Sequence, residues 1–126
     1  MKRYFELGLA MLAGTAIGAA AISGLHAQTK KAYTVSELET INEAAQAVYV
    51  PHIQAAQTAA GGRNLNTAGG RTVAGIGTAP KRVAIVEWDS LEKAEAFYKS
   101  KAWNDLAAER DKAVKQVRRY AVETVK

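Results

Sequence analysis

The 126-residue chain contains no cysteine. That excludes disulfides, thiolate metal ligands, a cysteine nucleophile and a lipid-modified N-terminal cysteine of the bacterial lipoprotein kind. Histidine is nearly as scarce. The two imidazoles are His26 and His52, and His26 lies in an N-terminal segment that reads as an export signal. A metal site built from clustered His and Cys has no material to work with, so no metal and no cofactor is expected. Glu37, Glu39 and Glu43 read as a solvated strand end and a helix cap rather than a hard-ion site. No G-x-S-x-G, H-E-x-x-H or P-loop spacing occurs. The glycines at Gly69, Gly70, Gly75 and Gly77 lack the Lys-Ser/Thr ending of a phosphate loop and read as a flexible hairpin. Basic residues are nowhere gathered into a block with interleaved aromatics, so nucleic acid is not an expected partner.

What the chain does have begins with an address. Lys2 and Arg3 form a short positive region, Leu7 to Ile22 is uncharged and rich in Ala, Leu and Gly, and Gly24-Leu25-His26-Ala27 ends in a small residue. This order predicts a signal peptide over residues 1–27, cleavage before Gln28, and a periplasmic or secreted domain over 28–126. The competing reading is a retained membrane anchor, because Leu7 to Leu25 is 19 residues without charge and just reaches a spanning length. Its Ala and Gly content makes it a poor anchor. The mature chain would carry 15 basic and 11 acidic side chains, an excess spread along its length.

Along the remaining residues the apolar period switches between two and about 3.6. Tyr33 to Leu38 reads as a strand. Thr40-Ile41-Asn42-Glu43 has the form of a capping box, predicting a helix from Ile41 with an inner stripe of Ile41, Ala45, Val48, His52, Ala55 and Ala59. Pro51 predicts a kink or a division into two short helices. Gly61-Gly62 ends the element. Weak alternation over Arg63 to Thr67 and Arg71 to Ile76, around Gly69-Gly70, suggests a hairpin. Arg82 to Trp88 is the strongest strand, with apolar residues on both parities, as in a strand covered on both faces. Asp89 or Ser90 caps a helix over Leu91 to Lys99, with Leu91, Ala94, Phe97 and Tyr98 inward. Ser100 restarts a helix through Lys101 to Ala113, with Trp103, Leu106, Ala107 and Arg110 inward. Gln116 to Glu123 is the last strand, with Tyr120 and Val122 as core candidates.

The order β-α-β-(β)-β-α-α-β is the split βαβ, ferredoxin-like α+β arrangement with an antiparallel sheet. Helices cover one sheet face, and no element remains for the other. A second copy of the chain, joined through a two-fold interface, is the expected cover.

Several of these residues resemble a known family. Gly61-Gly62-Arg63-Asn64-Leu65, then Pro80 to Ala94, then Phe97-Tyr98-Lys99-Ser100 and Trp103, are similar to the domain of unknown function 1330 family over about Lys31 to Glu123. Its members carry a GGR turn, a PxRxVxxEF strand, an aromatic-Tyr-x-Ser helix end and an aromatic three residues later. The chain departs from that pattern at Trp88, in the longer run before Gly61 that holds Pro51 and His52, and in Arg118-Arg119 of the last strand. The resemblance implies the dimeric α+β barrel superfamily, which includes cofactor-free monooxygenases, isomerases and haem-handling relatives. It brings no activity.

Two functional readings remain. In the first, the domain is a homodimer that binds a small apolar or aromatic molecule between helices and sheet, in a pocket bounded by His52, Arg63, Trp88, Tyr98 and Trp103 and widened by Ala55, Ala56, Ala59 and Ala60. In the second, the same pocket is that of a cofactor-independent monooxygenase or isomerase. His52 would be its general base, and Arg63 or Tyr98 would orient an anion. Arg110, a charge on an inner stripe, is expected to pair with a carboxylate such as Glu87.

Overall fold

The computed structural model describes residues 30–72 and 75–125. The expected signal peptide and the centre of the expected Arg71–Ile76 strand lie outside the described residues. Four strands, β1 (Ala32–Thr40), β2 (Arg63–Asn64), β3 (Arg82–Trp88) and β4 (Val114–Glu123), alternate with helices α1 (Glu43–Ala59), α2 (Leu91–Tyr98), α3 (Lys101–Asp105) and α4 (Ala107–Ala113). The strands form one antiparallel sheet in the order β2-β3-β1-β4. With α1 crossing from β1 to β2 and the other helices from β3 to β4, this α+β order is that of the ferredoxin-like arrangement.

Strand alternation sorts the sheet into two faces. Ala32, Thr34, Ser36 and Leu38 of β1 pair with Trp88, Val86, Ala84 and Arg82 of β3 on the helix side. Tyr33, Val35 and Glu37 pair with Glu87, Ile85 and Val83 on the open side. On β4 the helix side carries Arg119 and Ala121, opposite Ser36 and Thr34, while Tyr120 and Val122 join Val35 and Tyr33 on the open side. The core lies under the helices, from Ala32, Val86 and Trp88 to Tyr49, Ile53, Phe97 and Trp103.

Helix α1 differs most from its sequence pattern. Its N-cap is Asn42, whose Oδ1 accepts the Ala45 N–H at 2.9 Å, so Thr40 stays in β1. The buried stripe is Gln46, Tyr49, Ile53 and Gln57, one residue round from the expected line, and Ile41, Val48, His52 and Ala55 face solvent. The helix is rich in alanine, which contrasts weakly with its neighbours, and two of its inner residues are glutamines. It also continues through Pro51 rather than dividing there. The proline is exposed, so the missing donor lies on the wet side of the helix.

The C-terminus of α1 follows the glycine signal closely. Gly62 N–H reaches Gln57 O at 2.8 Å and Gly61 N–H reaches Thr58 O at 3.0 Å, with Gly61 at φ 93°. This is a Schellman cap.

Three further expectations need correction. The helix expected over Lys101 to Ala113 breaks at Leu106 into α3 and α4. The hairpin reduces to the two residues of β2 and a 3-10 turn at Ala68–Gly70; Arg71, Thr72, Gly75 and Ile76 are not in a strand. Tyr120 and Val122 are 46% and 49% exposed rather than core, because they project from an edge strand toward the open face.

Candidate functional site

Between the sheet and helices α2 and α3 lies a cluster of four aromatic rings, Trp88, Phe97, Tyr98 and Trp103. Phe97 packs on Trp88 at a centroid distance of 5.3 Å, Tyr98 meets Trp103 edge-on at 4.9 Å, and Trp88 and Tyr98 lie 6.2 Å apart. Trp88 is fully buried, so its indole N–H must find a partner. It donates to Thr34 Oγ1 at 3.1 Å, and Thr34 Oγ1 lies 3.2 Å from the Tyr98 hydroxyl. Indole can only donate, so Thr34 accepts from Trp88, while between Thr34 and Tyr98 either hydroxyl can be the donor.

Between α1 and the helix side of the sheet runs a cleft of about 530 Å³, opening beside the 3-10 turn and lined by Gln54, Thr58, Asn64, Leu65 and Arg82. It shares Leu38, Gln46, Val50, Gln54, Asn64 and Ala84 with an inner cavity of about 100 Å³. That cavity reaches Ser36, Tyr49, Ile53 and Gln57 and ends on Tyr98 and Trp103. Its walls are apolar and aromatic with neutral amide and hydroxyl groups among them. The buried Gln46 amide, with Oε1 toward the Arg82 guanidinium at 3.2 and 3.3 Å, donates from Nε2 to Thr40 Oγ1 at 2.9 Å. Arg82 is thereby held at the mouth of the cleft.

The five residues expected around one pocket separate. Trp88, Tyr98 and Trp103 come together, Tyr98 and Trp103 on the cavity wall and Trp88 behind them. His52 lies on the outer side of α1, its side chain 56% exposed, with Nδ1 bonded to Glu109 Oε1 of α4 at 2.7 Å. Arg63 lies on the open side of the sheet. Its Nε donates to Glu87 Oε1 at 2.7 Å and its Nη2 to Asp89 Oδ1 at 2.9 Å. Neither side chain reaches the cavity, because His52 is off the buried stripe of α1 and Arg63 shares the outward parity of Glu87. Of the small residues expected to widen the space, Ala55, Ala59 and Ala60 are exposed and Ala56 packs against the core.

Glu87 is therefore unavailable to Arg110. It accepts from Tyr33 at 2.8 Å, from Arg63 and from Lys31 at 3.3 Å. The Tyr33 bond, followed by the Arg63 bond, lowers its carboxyl to about 2. The same carboxylate raises the Tyr33 phenol. Arg110, 9% exposed, instead donates to Trp103 O at 3.2 Å and lays its guanidinium 3.8 Å over the Trp103 ring. Nearby, Arg119 of β4 stacks 3.9 Å over Tyr98 and 4.7 Å from the Trp103 centroid, with Nη1 bonded to Gln116 Oε1 at 3.2 Å. Thr34, Glu109 and the glutamines of α1 escaped the sequence reading. Thr34 alone carried a signal, as a hydroxyl on the same strand parity as Ala32 and Leu38.

Among the described residues no three His, Asp or Glu side chains come together as metal ligands, and no helix is long and apolar enough to cross a membrane. No curated protein matches the chain. A solved structure of a conserved protein of unknown function from Bacteroides thetaiotaomicron VPI-5482, described as a possible oxidoreductase, superposes with a TM-score of 0.47 at 8% identity, over 77% of this chain and 99% of that one. The family model for a domain of unknown function, DUF1330, matches residues 31–125, and the chain belongs to that family.

Proposed function

We propose that this domain is a small-molecule binding module, exported and homodimeric, whose α1 cleft takes a small apolar or aromatic compound. The observation that carries the reading is the end of the cleft: a cavity between helix and sheet walled by Tyr98, Trp103, Tyr49 and Ile53. Aromatic edges and aliphatic side chains supply contact area, while Ser36, Gln57 and Gln116 offer neutral hydrogen bonds that orient an occupant. An inner cavity that is mainly apolar with a few convergent polar groups is the usual form of a ligand site. Export is supported by the positive, apolar and small-residue order of residues 1–27. Dimer formation is supported by the open sheet face, where Val35, Val83 and Ile85 are only partly buried and Tyr120 and Val122 are exposed.

A second reading, a cofactor-independent monooxygenase or isomerase with His52 as base, has one observation in its favour. Glu109 orients the imidazole through Nδ1 at 2.7 Å, leaving Nε2 to take a proton. The exposed outer face of α1 supplies no enclosure for a substrate, so the binding reading is preferred.

Native mass spectrometry of the protein purified under gentle conditions tests the preferred reading by looking for a co-purified small molecule. Trp103 lines the cavity and is one of two tryptophans, so occupancy should quench or shift the intrinsic fluorescence. Trp103→Leu should weaken binding of the compound so found. Unchanged affinity in that variant would exclude the cleft, and loss of turnover of the compound in His52→Ala would favour the enzyme.

A further inference from the structure

A second recess opens on the other side of Tyr98. It is a groove of about 320 Å³ between α2 and β4, lined by Thr34, Ala94, Tyr98, Arg119 and Ala121, with Glu95, Lys99 and Tyr120 at its sides. It shares only Tyr98 with the inner cavity under α1 and nothing with the outer cleft.

Arg119 is an unexpected residue for its place. It occupies the helix side of β4, opposite Ser36, where Ala121 and Val114 continue the apolar parity. Among the described residues it forms no ion pair, whereas the adjacent Arg118, on the open face, is bound through Nε and Nη2 to both oxygens of Glu37 at 2.9 Å. One of its five donors is used, by Gln116. Its Cζ lies 3.9 Å from the Tyr98 ring centroid and 4.7 Å from that of Trp103, contacts that hold the guanidinium without neutralising it. Arg110 lies near enough to add a second positive charge, and it donates to a neutral carbonyl, that of Trp103. The Arg119 side chain is exposed at the groove, so its charge is open to a ligand. Partial loss of solvent where it packs on the rings is the largest influence on Arg119 and lowers its pKa.

The groove supplies the rest of an anion site. Trp88 donates to Thr34, whose hydroxyl shares a bond with the Tyr98 hydroxyl in which either oxygen can donate, so an anion in the groove would draw the Tyr98 O–H toward itself while Thr34 donates to Tyr98. Lys99 adds positive charge at the side, and Glu95, the one carboxylate of the lining, opposes it there. Ala94 and Ala121 leave apolar space beside these donors.

We propose that the groove between α2 and β4 binds the carboxylate of a small organic acid, with Arg119 as counter-ion and the Tyr98 hydroxyl as a second donor. The guanidinium fork matches a carboxylate, and the alanines accommodate its organic part. The assignment does not depend on the occupant of the α1 cleft.

Isothermal titration of the purified protein with acetate, benzoate and phenylacetate, and with neutral benzamide, tests it. At least one acid should bind with a dissociation constant below about 10 mM, and benzoate should bind more tightly than benzamide. Arg119→Gln should weaken the acid roughly tenfold or more, Arg119→Lys should retain part of the affinity, and Tyr98→Phe should lose a smaller factor. Thermal melts of each variant establish that it folds; Arg119 is an exposed residue of an edge strand, so both substitutions there are expected to fold. Absence of binding by all three acids, equal affinity for benzoate and benzamide, or an unchanged affinity in folded Arg119→Gln would overturn the proposal. If one of these outcomes is seen while a neutral compound still binds Arg119→Gln and is lost in Trp103→Leu, the anion site fails and the α1 cleft stands.

Discussion

The indole N–H of Trp88 is satisfied by the hydroxyl of Thr34, 3.1 Å away on the neighbouring strand of the sheet. Both residues lie at the bottom of the core, Trp88 fully buried and Thr34 3% exposed. Replacing Thr34 by valine keeps the shape and removes the acceptor, leaving a donor buried with no protein partner. The expected cost is about 1–3 kcal/mol. Thr34→Ser should restore most of it. Urea unfolding of the three proteins checks this, and a Thr34→Val variant as stable as the wild type would show that the bond contributes nothing.

Gly62 meets the same tryptophan from the other side. A Cβ placed there would fall 2.9 Å from Val86 Cγ1, 3.0 Å from Trp88 Cη2 and 3.1 Å from Gln57 O. Two of these are core side chains and the third is backbone, so none can yield easily. Gly62→Ala should destabilise by roughly 1–3 kcal/mol through overpacking. At Gly61, where a Cβ meets open space but φ is 93°, alanine should cost about 1–2 kcal/mol through backbone strain alone. Separate thermal melts distinguish the two, since only the Gly62 variant should also perturb the near-UV signal of Trp88.

Acid dependence follows from Glu87. Its folded carboxyl titrates at about 2 against an ordinary value of 4.5, chiefly through the Tyr33 hydrogen bond and next through Arg63. A depressed folded pKa means that the unfolded chain takes up the proton first on acidification. The stabilisation is therefore complete above about 4.5 and is lost as pH falls toward 2. Glu87→Gln should be less stable than the wild type at neutral pH and should show a shallower decline across that window. Equal slopes of unfolding free energy against pH in the two proteins would contradict the assignment.

How far the fold could be read from the residues depended on how much contrast each segment carries. Strand β3 has apolar residues on both parities and a proline before it, and its limits agree with the sequence pattern. Ser90 and Ser100 cap their helices as read, accepting from Lys93 and Trp103. Helix α1 carries little contrast, because alanine fits either face and its inner glutamines look like surface residues. Gln46 is buried by a long-range partnership with Thr40 and Arg82 that no local period reports. The same limit governed the site. Tyr98 and Trp103 were identifiable as inward aromatics, whereas the sidedness of His52 turned on a rotation of one residue about α1. Arg63 turned on strand parity in a two-residue strand. Arg110 satisfied its charge with a carbonyl and a ring, partners that a search for carboxylates overlooks.

The open sheet face supplies the last prediction, which concerns the proposed homodimer. Tyr33 pairs with Val122 and Val35 with Tyr120 across β1 and β4, and Val35 pairs with Ile85 across β1 and β3. This makes a continuous apolar row, bordered by the Arg118–Glu37 pair and the Glu87 cluster. Val122 is 49% exposed, so a single domain should accommodate a charge there with little loss of stability. An interface between two such faces should not, because it would bury the aspartate's charge against apolar side chains. Light scattering at micromolar concentration should therefore give a dimeric mass for the wild type and a monomeric mass for Val122→Asp, with the far-UV spectrum unchanged. A monomeric wild type would refute the dimer, and a dimeric Val122→Asp would place its interface on some other surface.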